Sequence, residues 1–304
     1  MAVLNTFRMV VLSIMAVAGY LAFTSGGAKT RFGRQYSPNY PISCTSQYVV
    51  AWTFDEGPSS NTQNILYALR AMNVTATFHI STRYITQDLT LQSYVKALYN
   101  DGHVIGIRFN TILNPSNMSL ADVQTELINE SAVIYNVIGQ YPKYLVMPYG
   151  QTTAAIDALT KSMGFITTSF ALDTMDYVAT TTSANIVSNV TNYMSQLVGG
   201  QSFIFLSHDL YSVTNVALNG TVNAIRAAGY KLVAMDKCQG STAYRTSNGA
   251  STNTGSSSTG SGSSGSSSGS GLAGQTAGSG AHNLQVSFAG LVVAALFAAV
   301  MTSF

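Results

Sequence analysis

Seven short apolar runs alternate with amphipathic segments between residues 48 and 235. Each run has five to seven residues and is rich in β-branched and aromatic side chains, which is typical of buried strands. The predicted strands are 48–54, 75–80, 103–107, 143–147, 166–172, 202–206 and 231–235. The segments between them carry apolar residues at helical spacing. Strands that alternate with helices favour parallel βαβ units, closed into a barrel or left open as a doubly wound sheet, so the predicted fold class is α/β.

The first 27 residues have the layout of a secretory signal peptide. Arg8 precedes an apolar stretch over residues 9–23, small residues follow it, and we expect cleavage between Ser25 and Ala28. The alternative is an uncleaved anchor helix, although the stretch is shorter than the ~20 apolar residues that a membrane span prefers. In either case we expect the chain to enter the secretory pathway.

The last part of the chain is free of charged side chains, because no Asp, Glu, Lys or Arg follows Arg245. Residues 246–281 are almost entirely Ser, Gly, Thr and Asn, which predicts a flexible stalk, and residues 284–304 are apolar. A transmembrane helix is the alternative, but Lys or Arg normally follows such a helix. Small residues, a polar spacer and a terminal apolar tail instead predict a glycosylphosphatidylinositol (GPI) anchor signal. The expected location is therefore the outer face of the plasma membrane or the cell wall.

The composition argues against a nucleic-acid-binding protein. Charged residues make up only 9% of the chain, with 14 Lys+Arg against 12 Asp+Glu, which leaves no basic face. The two cysteines, Cys44 and Cys238, bracket the predicted strands, and in an oxidising compartment they predict one disulfide bond. Five Asn-x-Ser/Thr sequons suit a secreted glycoprotein. The sequons are Asn73, Asn117, Asn129, Asn189 and Asn219.

Polar residues directly follow five of the predicted strands. In α/β folds the carboxyl ends of the strands form the site, so these residues are the candidates for chemistry. The clusters are 55–58 (DEGP), 108–110 (RFN), 148–150 (PYG), 173–177 (DTMDY) and 207–209 (SHD). Three of the five carry carboxylates in a chain that has only 12 acidic residues. This concentration favours a functional site over solvated loop charges.

The five clusters resemble the motifs of the polysaccharide deacetylases, the NodB-homology family of carbohydrate esterases that includes fungal chitin deacetylases. Residues 53–59 read TFDEGPS against the family's TFDDGPS, and residues 101–106 read DGHVIG against DGHEIG. The order and spacing of the motifs agree over residues 44–240, which we take as the folded domain. The resemblance implies a distorted (β/α) barrel of seven or eight strands.

The resemblance also implies roles for individual residues. In the family a divalent metal, usually zinc, polarises the acetamido carbonyl and activates the attacking water. Asp55 falls on the base that takes the proton from that water, and His208 falls on the acid that protonates the leaving amine. Tyr149, Asp176 and Tyr177 fall in a groove that hydrogen-bonds or stacks on N-acetylglucosamine units.

The metal-binding positions are where this sequence departs from the family. The family's Asp and two His fall on Glu56, Arg108 and Ile112. Arginine and isoleucine do not ligate metals, so we expect no bound metal. The arginine that orients the base falls on Val146, which leaves the base without that partner. His79 is the remaining histidine near a strand end, and a lone histidine there favours a hydrogen-bonded core residue over a metal ligand.

Arg108 suggests a physical reason for the change. Two adjacent carboxylates that share one pocket repel each other and need a cation. We predict that the Arg108 guanidinium occupies the vacated metal position and pairs with Asp55 or Glu56. The alternative is that Arg108 points to solvent from its loop.

Three interpretations of the function remain open on the sequence alone. The favoured one is a GPI-anchored surface protein that recognises N-acetylglucosamine-type wall glycans, such as chitin, chitosan or a related polysaccharide, with deacetylation lost or strongly impaired. The alternative is an active chitin or polysaccharide deacetylase with an altered site that uses zinc or cobalt. A stalked coat protein without a glycan ligand is a third interpretation.

Overall fold

The computed structural model describes residues 40–109 and 114–249. The predicted signal peptide (1–27), the terminal apolar tail (284–304), Ile112 and all but the first four residues of the Ser/Gly segment lie outside these ranges. In the described part, no helix has both the length and the apolar character that crossing a membrane requires.

The described residues form one eight-stranded parallel sheet with helices between the strands, and a small antiparallel pair apart from it. The strands are β1 (Val49–Asp55), β2 (Thr77–Ile80), β3 (Val104–Arg108), β4 (Tyr141–Pro142), β5 (Tyr144–Val146), β6 (Ile166–Thr167), β7 (Leu172–Asp173), β8 (Phe203–His208), β9 (Lys231–Val233) and β10 (Tyr244–Arg245). The helices are α1 (Thr62–Ala71), α2 (Thr82–Ile85), α3 (Leu89–Asn100), α4 (Leu120–Ile138), α5 (Ala154–Ser162), α6 (Ser183–Ser195), α7 (Ser212–Ala227) and α8 (Met235–Gln239). Short 3₁₀ turns occupy Pro115–Asn117 and Pro148–Gly150.

The sheet curls into a half-barrel, as the α/β prediction and the family resemblance imply. Its strand order is β6-β5-β3-β2-β1-β8-β7, and β9 pairs with the first half of β1. Side chains alternate along each strand. Trp52 and Phe54 of β1 stack on each other and belong to the large apolar cluster that includes helix residues, whereas Ala51 belongs to a smaller cluster with Tyr144 and Ile204.

The fifth predicted strand, 166–172, is wrong as one continuous element, because the structure divides it into β6 and β7 at opposite edges of the sheet. The four residues between them cross the seam of the half-barrel. Thr168 donates its backbone N–H to Leu145 of β5, and Ala171 donates to Ile204 of β8. The hydrogen-bond partner therefore changes from β5 to β8 within four residues, so the run is not one continuous strand.

The predicted disulfide bond between Cys44 and Cys238 is confirmed, and it closes 194 residues of chain. Cys44 belongs to an N-terminal segment that runs across the seam, where Pro41 accepts a hydrogen bond from Ser169. The asparagines of the sequons at 73, 117, 129 and 219 are exposed, and Asn189 is half-buried in α6. Their glycosylation stays a prediction.

Candidate active site at the carboxyl ends of the strands

The carboxyl ends of three neighbouring strands bring His79, Asp55 and His208 into one row. Asp55 pairs in register with His79 of β2 on one side and with His208 of β8 on the other. Parallel pairing places residues of equal register side by side. Arg108 ends β3, the next strand along. Asp55, Arg108 and His208 line one cleft, and Tyr149 also lines it.

Asp55 is buried and held by His79. Its Oδ1 lies 2.7 Å from Nδ1 of His79, which is fully buried. Burial alone would raise the pKa of the Asp55 carboxyl, but the charge and hydrogen bond of His79 outweigh it and the pKa lies below its ordinary value. Arg108 and His208 act in the same direction. Although Val146 stands at the position of the orienting arginine, Asp55 is not without a partner, because His79 contacts it from the neighbouring strand. The prediction of His79 as a hydrogen-bonded core residue is confirmed.

Glu56 is paired with Arg108, as the charge argument predicted for one of the two acids. The guanidinium Nη2 lies 3.1 Å from Oε1 of Glu56. The Arg108 side chain is 9% exposed and that of Glu56 is 32% exposed, so the guanidinium is buried and the carboxylate is partly solvated. Glu56 has φ +70°, a left-handed conformation, and it precedes a cis bond between Gly57 and Pro58. The interpretation in which Arg108 points to solvent is excluded.

His208 is held on its far side by Asp176. Oδ1 of Asp176 lies 2.7 Å from Nδ1 of His208, and Oδ2 accepts hydrogen bonds from the backbone N–H of His208 and from the hydroxyl of Thr214. Burial alone would lower the pKa of the His208 imidazole, but Asp176 raises it above its ordinary value. Asp55 and Glu56 add to the rise. The arrangement favours a protonated imidazole that can donate a proton.

The three residues predicted to bind sugar are placed differently. Tyr149 lines the cleft, is 54% exposed and adopts a left-handed conformation with φ +54°. Asp176 is buried behind His208 and does not line the cleft. The Tyr177 ring stands edge-on to His208, with the ring centroids 5.6 Å apart, and its hydroxyl donates to Asp173. Of the three residues, Tyr149 therefore lines the cleft, whereas Asp176 and Tyr177 contact His208.

Asp209 supports the loop that carries Glu56, a role that the sequence did not indicate. Its carboxyl group is fully buried and accepts a hydrogen bond from the Thr62 hydroxyl. A Cβ added to Gly57 would lie 1.9 Å from Oδ1 of Asp209, so the close packing of this loop requires glycine. Burial raises the pKa of Asp209 to about 6. The close packing of the loop at Gly57 and the burial of Asp209 therefore depend on each other.

Part of this chain matches a known protein family. Residues 43–167 match the family profile described as polysaccharide deacetylase. The chain carries a polysaccharide deacetylase domain. A chitin deacetylase from Colletotrichum lindemuthianum is 27% identical over 213 residues, which are 68% of this chain and 86% of that protein.

Solved structures agree with this fold. The structure of the chitin deacetylase from Colletotrichum lindemuthianum matches with a TM-score of 0.63 at 26% identity, over 66% of this chain and 92% of that one. A pseudoenzyme of the same carbohydrate esterase family from Bacillus anthracis matches with a TM-score of 0.59 at 18% identity, over 67% of this chain and 69% of that one. At 18% identity, the match to the pseudoenzyme shows only that the two proteins share a fold.

The metal that deacetylases of this family usually use does not fit the donors present in this cleft. Zinc takes neutral imidazole, thiolate or free carboxylate ligands. Glu56 is already paired with a guanidinium, one oxygen of Asp55 is hydrogen-bonded to His79, and Arg108 brings a fixed positive charge into the cleft. Within residues 40–109 and 114–249, no group of three or more His, Cys, Asp or Glu side chains is arranged to hold a metal ion. The polar side chains of the cleft therefore bind one another in the places where metal ligands would be needed.

Two features of the site were not predicted from the sequence: the contact of His79 with Asp55, and the burial of Asp209 beneath the Gly57 loop. A signal for His79 existed in the predicted strands, because it lies near the end of the second strand as Asp55 lies at the end of the first. Adjacent parallel strands would place the two side by side. Nothing comparable indicated Asp209, since its burial depends on the packing of Gly57.

Proposed function

We propose that this protein recognises N-acetylglucosamine-type wall glycans through the cleft of its deacetylase domain, with the metal-dependent deacetylation lost or strongly impaired. The observation that carries the proposal is the ion pair between Arg108 and Glu56. A guanidinium supplies the positive charge that two adjacent carboxylates need, without the open coordination position that activates a water. In this proposal the cleft keeps polar side chains that can bind a ligand, but it lacks a metal-activated water that could attack an amide.

The remaining groups of the cleft suit a sugar. Asp55 is ionised and presents an acceptor for sugar N–H and O–H donors, and His208 presents a donor from the neighbouring strand. Tyr149 offers an exposed ring at the rim, on which a pyranose face can pack. Polar groups that fix orientation beside an aromatic surface are typical of a ligand site. Chitin-type polysaccharides are the ligand class of the deacetylase relatives, so chitin, chitosan or a related polymer is the proposed partner.

The proposed location follows from the two ends of the chain. An N-terminal signal peptide and a GPI anchor signal would place the domain at the outer face of the plasma membrane, on a Ser/Gly stalk that reaches the wall. The test is to treat intact cells with a phospholipase C specific for phosphatidylinositol. Release of the protein into the medium supports the anchor, and retention after treatment contradicts it.

The alternative is an active chitin deacetylase. The observation that favours it is the survival of both proton-transfer candidates, Asp55 and His208, in adjacent register. In this version Asp55 takes a proton from water and His208 donates one to the leaving amine, with zinc or cobalt bound in an altered site. The Arg108–Glu56 pair would have to open for such a site to form.

One experiment separates these functions. The purified protein is incubated with chitin beads and with chitin oligosaccharides, with zinc or cobalt added, beside an Asp55→Asn variant. Retention on the beads without release of acetate supports the proposal. Acetate release by the parent that disappears in Asp55→Asn supports the enzyme instead. Neither retention nor acetate release indicates a coat protein without a glycan ligand.

A further inference from the structure

His79 has an environment that packing alone does not explain. Its imidazole is fully buried beneath the cleft, at the end of β2. Gly106 of β3 makes room for it, because a Cβ at that position would lie 2.5 Å from Cδ2 of His79 and 2.9 Å from the carbonyl oxygen of Tyr144. The sheet thus has a side-chain gap in β3 that the imidazole ring of β2 fills.

Only one of the two ring nitrogens of His79 has a hydrogen-bond partner within residues 40–109 and 114–249. Nδ1 lies 2.7 Å from Oδ1 of Asp55, whereas Nε2 is buried and has no hydrogen-bond partner in the described part of the chain. Burying a ring nitrogen without a partner costs free energy. An apolar side chain of similar size would fill the same space without that cost. The contact with Asp55 is therefore the feature that accounts for a histidine at this position.

We propose that His79 is a positioning residue for Asp55. Nδ1–H donates to Oδ1 and fixes the orientation of the carboxylate. This bond uses one oxygen and leaves Oδ2 to accept an N–H or O–H of a sugar in the cleft that Asp55 lines. Arg108 and His208 face Asp55 from β3 and β8, so the carboxylate is set between three cationic or polar groups. The binding part of this inference rests on the proposed function.

The first test compares substitutions at position 79 by the affinity of the full chain for chitin oligosaccharides. His79→Asn keeps an N–H near the place of Nδ1, and His79→Leu removes it. His103 provides a matched control, because it is also a buried imidazole but lies directly before β3, where its Nδ1 accepts the backbone N–H of Ala76. Thermal unfolding of each variant confirms that the molecule being titrated is folded.

We expect His79→Leu to bind at least ten-fold more weakly than the parent. His79→Asn is expected to recover most of the loss, and His103→Leu to bind within about two-fold of the parent. The proposal is overturned when folded His79→Leu binds as the parent does. Equal weakening by His79→Leu and His79→Asn overturns it too, because packing and not the N–H would then be responsible.

The second test needs no ligand and is valid even when His79→Leu fails to fold. Nitrogen-15 spectra of the parent report which ring nitrogen of His79 carries a proton. The proposal predicts a proton on Nδ1. A neutral ring protonated at Nε2 alone contradicts it. A parent that binds no glycan but carries the proton on Nδ1 refutes the proposed function and leaves the positioning contact supported.

Discussion

Removal of the Arg108 guanidinium is the perturbation whose cost the structure defines best. Arg108→Gln keeps much of the side-chain length and deletes the charge that faces Glu56 at 3.1 Å. At that separation two unit charges attract by about 5 kcal/mol with an effective dielectric constant near 20. Loss of one partner of a buried pair typically costs about 3–5 kcal/mol. Because Glu56 is 32% exposed, water recovers part of this energy.

We therefore expect Arg108→Gln to lower the free energy of unfolding by about 2–3 kcal/mol, a net value below the full cost of breaking a buried pair. For a domain of about 200 residues this corresponds to a fall in Tm of roughly 5–10 °C. The assay is thermal and urea unfolding with the disulfide bond intact. Arg70→Gln is the matched control, because Arg70 pairs with Asp101 on the surface, where solvent screens the interaction.

A double-mutant cycle with Glu56→Gln assigns the loss to the pair itself. The double variant Glu56→Gln/Arg108→Gln should be clearly more stable than the sum of the single changes implies, since the uncompensated charge is gone. A cost of Arg108→Gln no larger than that of Arg70→Gln would refute the buried-pair interpretation. Strict additivity of the two single changes would refute it as well.

Three further predictions concern the frame around the cleft. Asp209 has a folded-state pKa of about 6 against an ordinary value of 3.8, so its contribution to stability is present at pH 4 and is lost as the pH rises through 6. The contribution of Asp209 should fall by up to about 3 kcal/mol over this range, so the pH profiles of urea unfolding for the parent and Asp209→Asn should diverge by that amount; equal slopes contradict this. Replacement of Cys44 and Cys238 by Ser should cost about 2–5 kcal/mol by the same assay, and no loss of stability would show that the 194-residue loop is held by other contacts. Gly106→Ala should cost about 1–3 kcal/mol, because the new Cβ meets both His79 and a backbone carbonyl, and an unchanged Tm would show that the sheet can move aside.

The strands were predictable because a buried parallel strand is a nearly continuous apolar run. The prediction 48–54 differs from Val49–Asp55 by one residue at each end, and 202–206 lies within two residues of Phe203–His208. The failure at 166–172 has a physical cause. Periodicity reports that residues are buried and extended, but not which neighbour they hydrogen-bond, and in this run the partner changes from β5 to β8.

The charged residues of the site were predictable from the sequence, but most of the contacts between them were not. Asp55 and Glu56 stand next to each other, so a nearby cation was expected from repulsion alone, and Arg108 supplies it to Glu56. The ends of the predicted strands offered a signal for His79, but its contact with Asp55 depends on the exact register between β1 and β2. The burial of Asp209 likewise depends on a loop conformation that only the folded chain defines.

The charge balance of the cleft explains how the domain can persist without a metal. In a metal site the ion compensates the carboxylates, and loss of the ion leaves them repelling one another. In this chain Arg108 compensates Glu56 and His79 holds Asp55, so the two acids are stabilised within the chain itself. Within the described residues both acids of the cleft therefore have a partner from the chain itself.

The zinc content of the purified protein tests most directly whether Arg108 has replaced the metal. The parent and an Arg108→His/Ile112→His variant are dialysed against the same trace of zinc, and the metal is measured per chain. We predict far less than one zinc per chain in the parent, because Arg108 holds Glu56, and a gain of bound zinc in the variant that regains two imidazoles. One tightly held zinc per chain in the parent would contradict the replacement of the metal by Arg108.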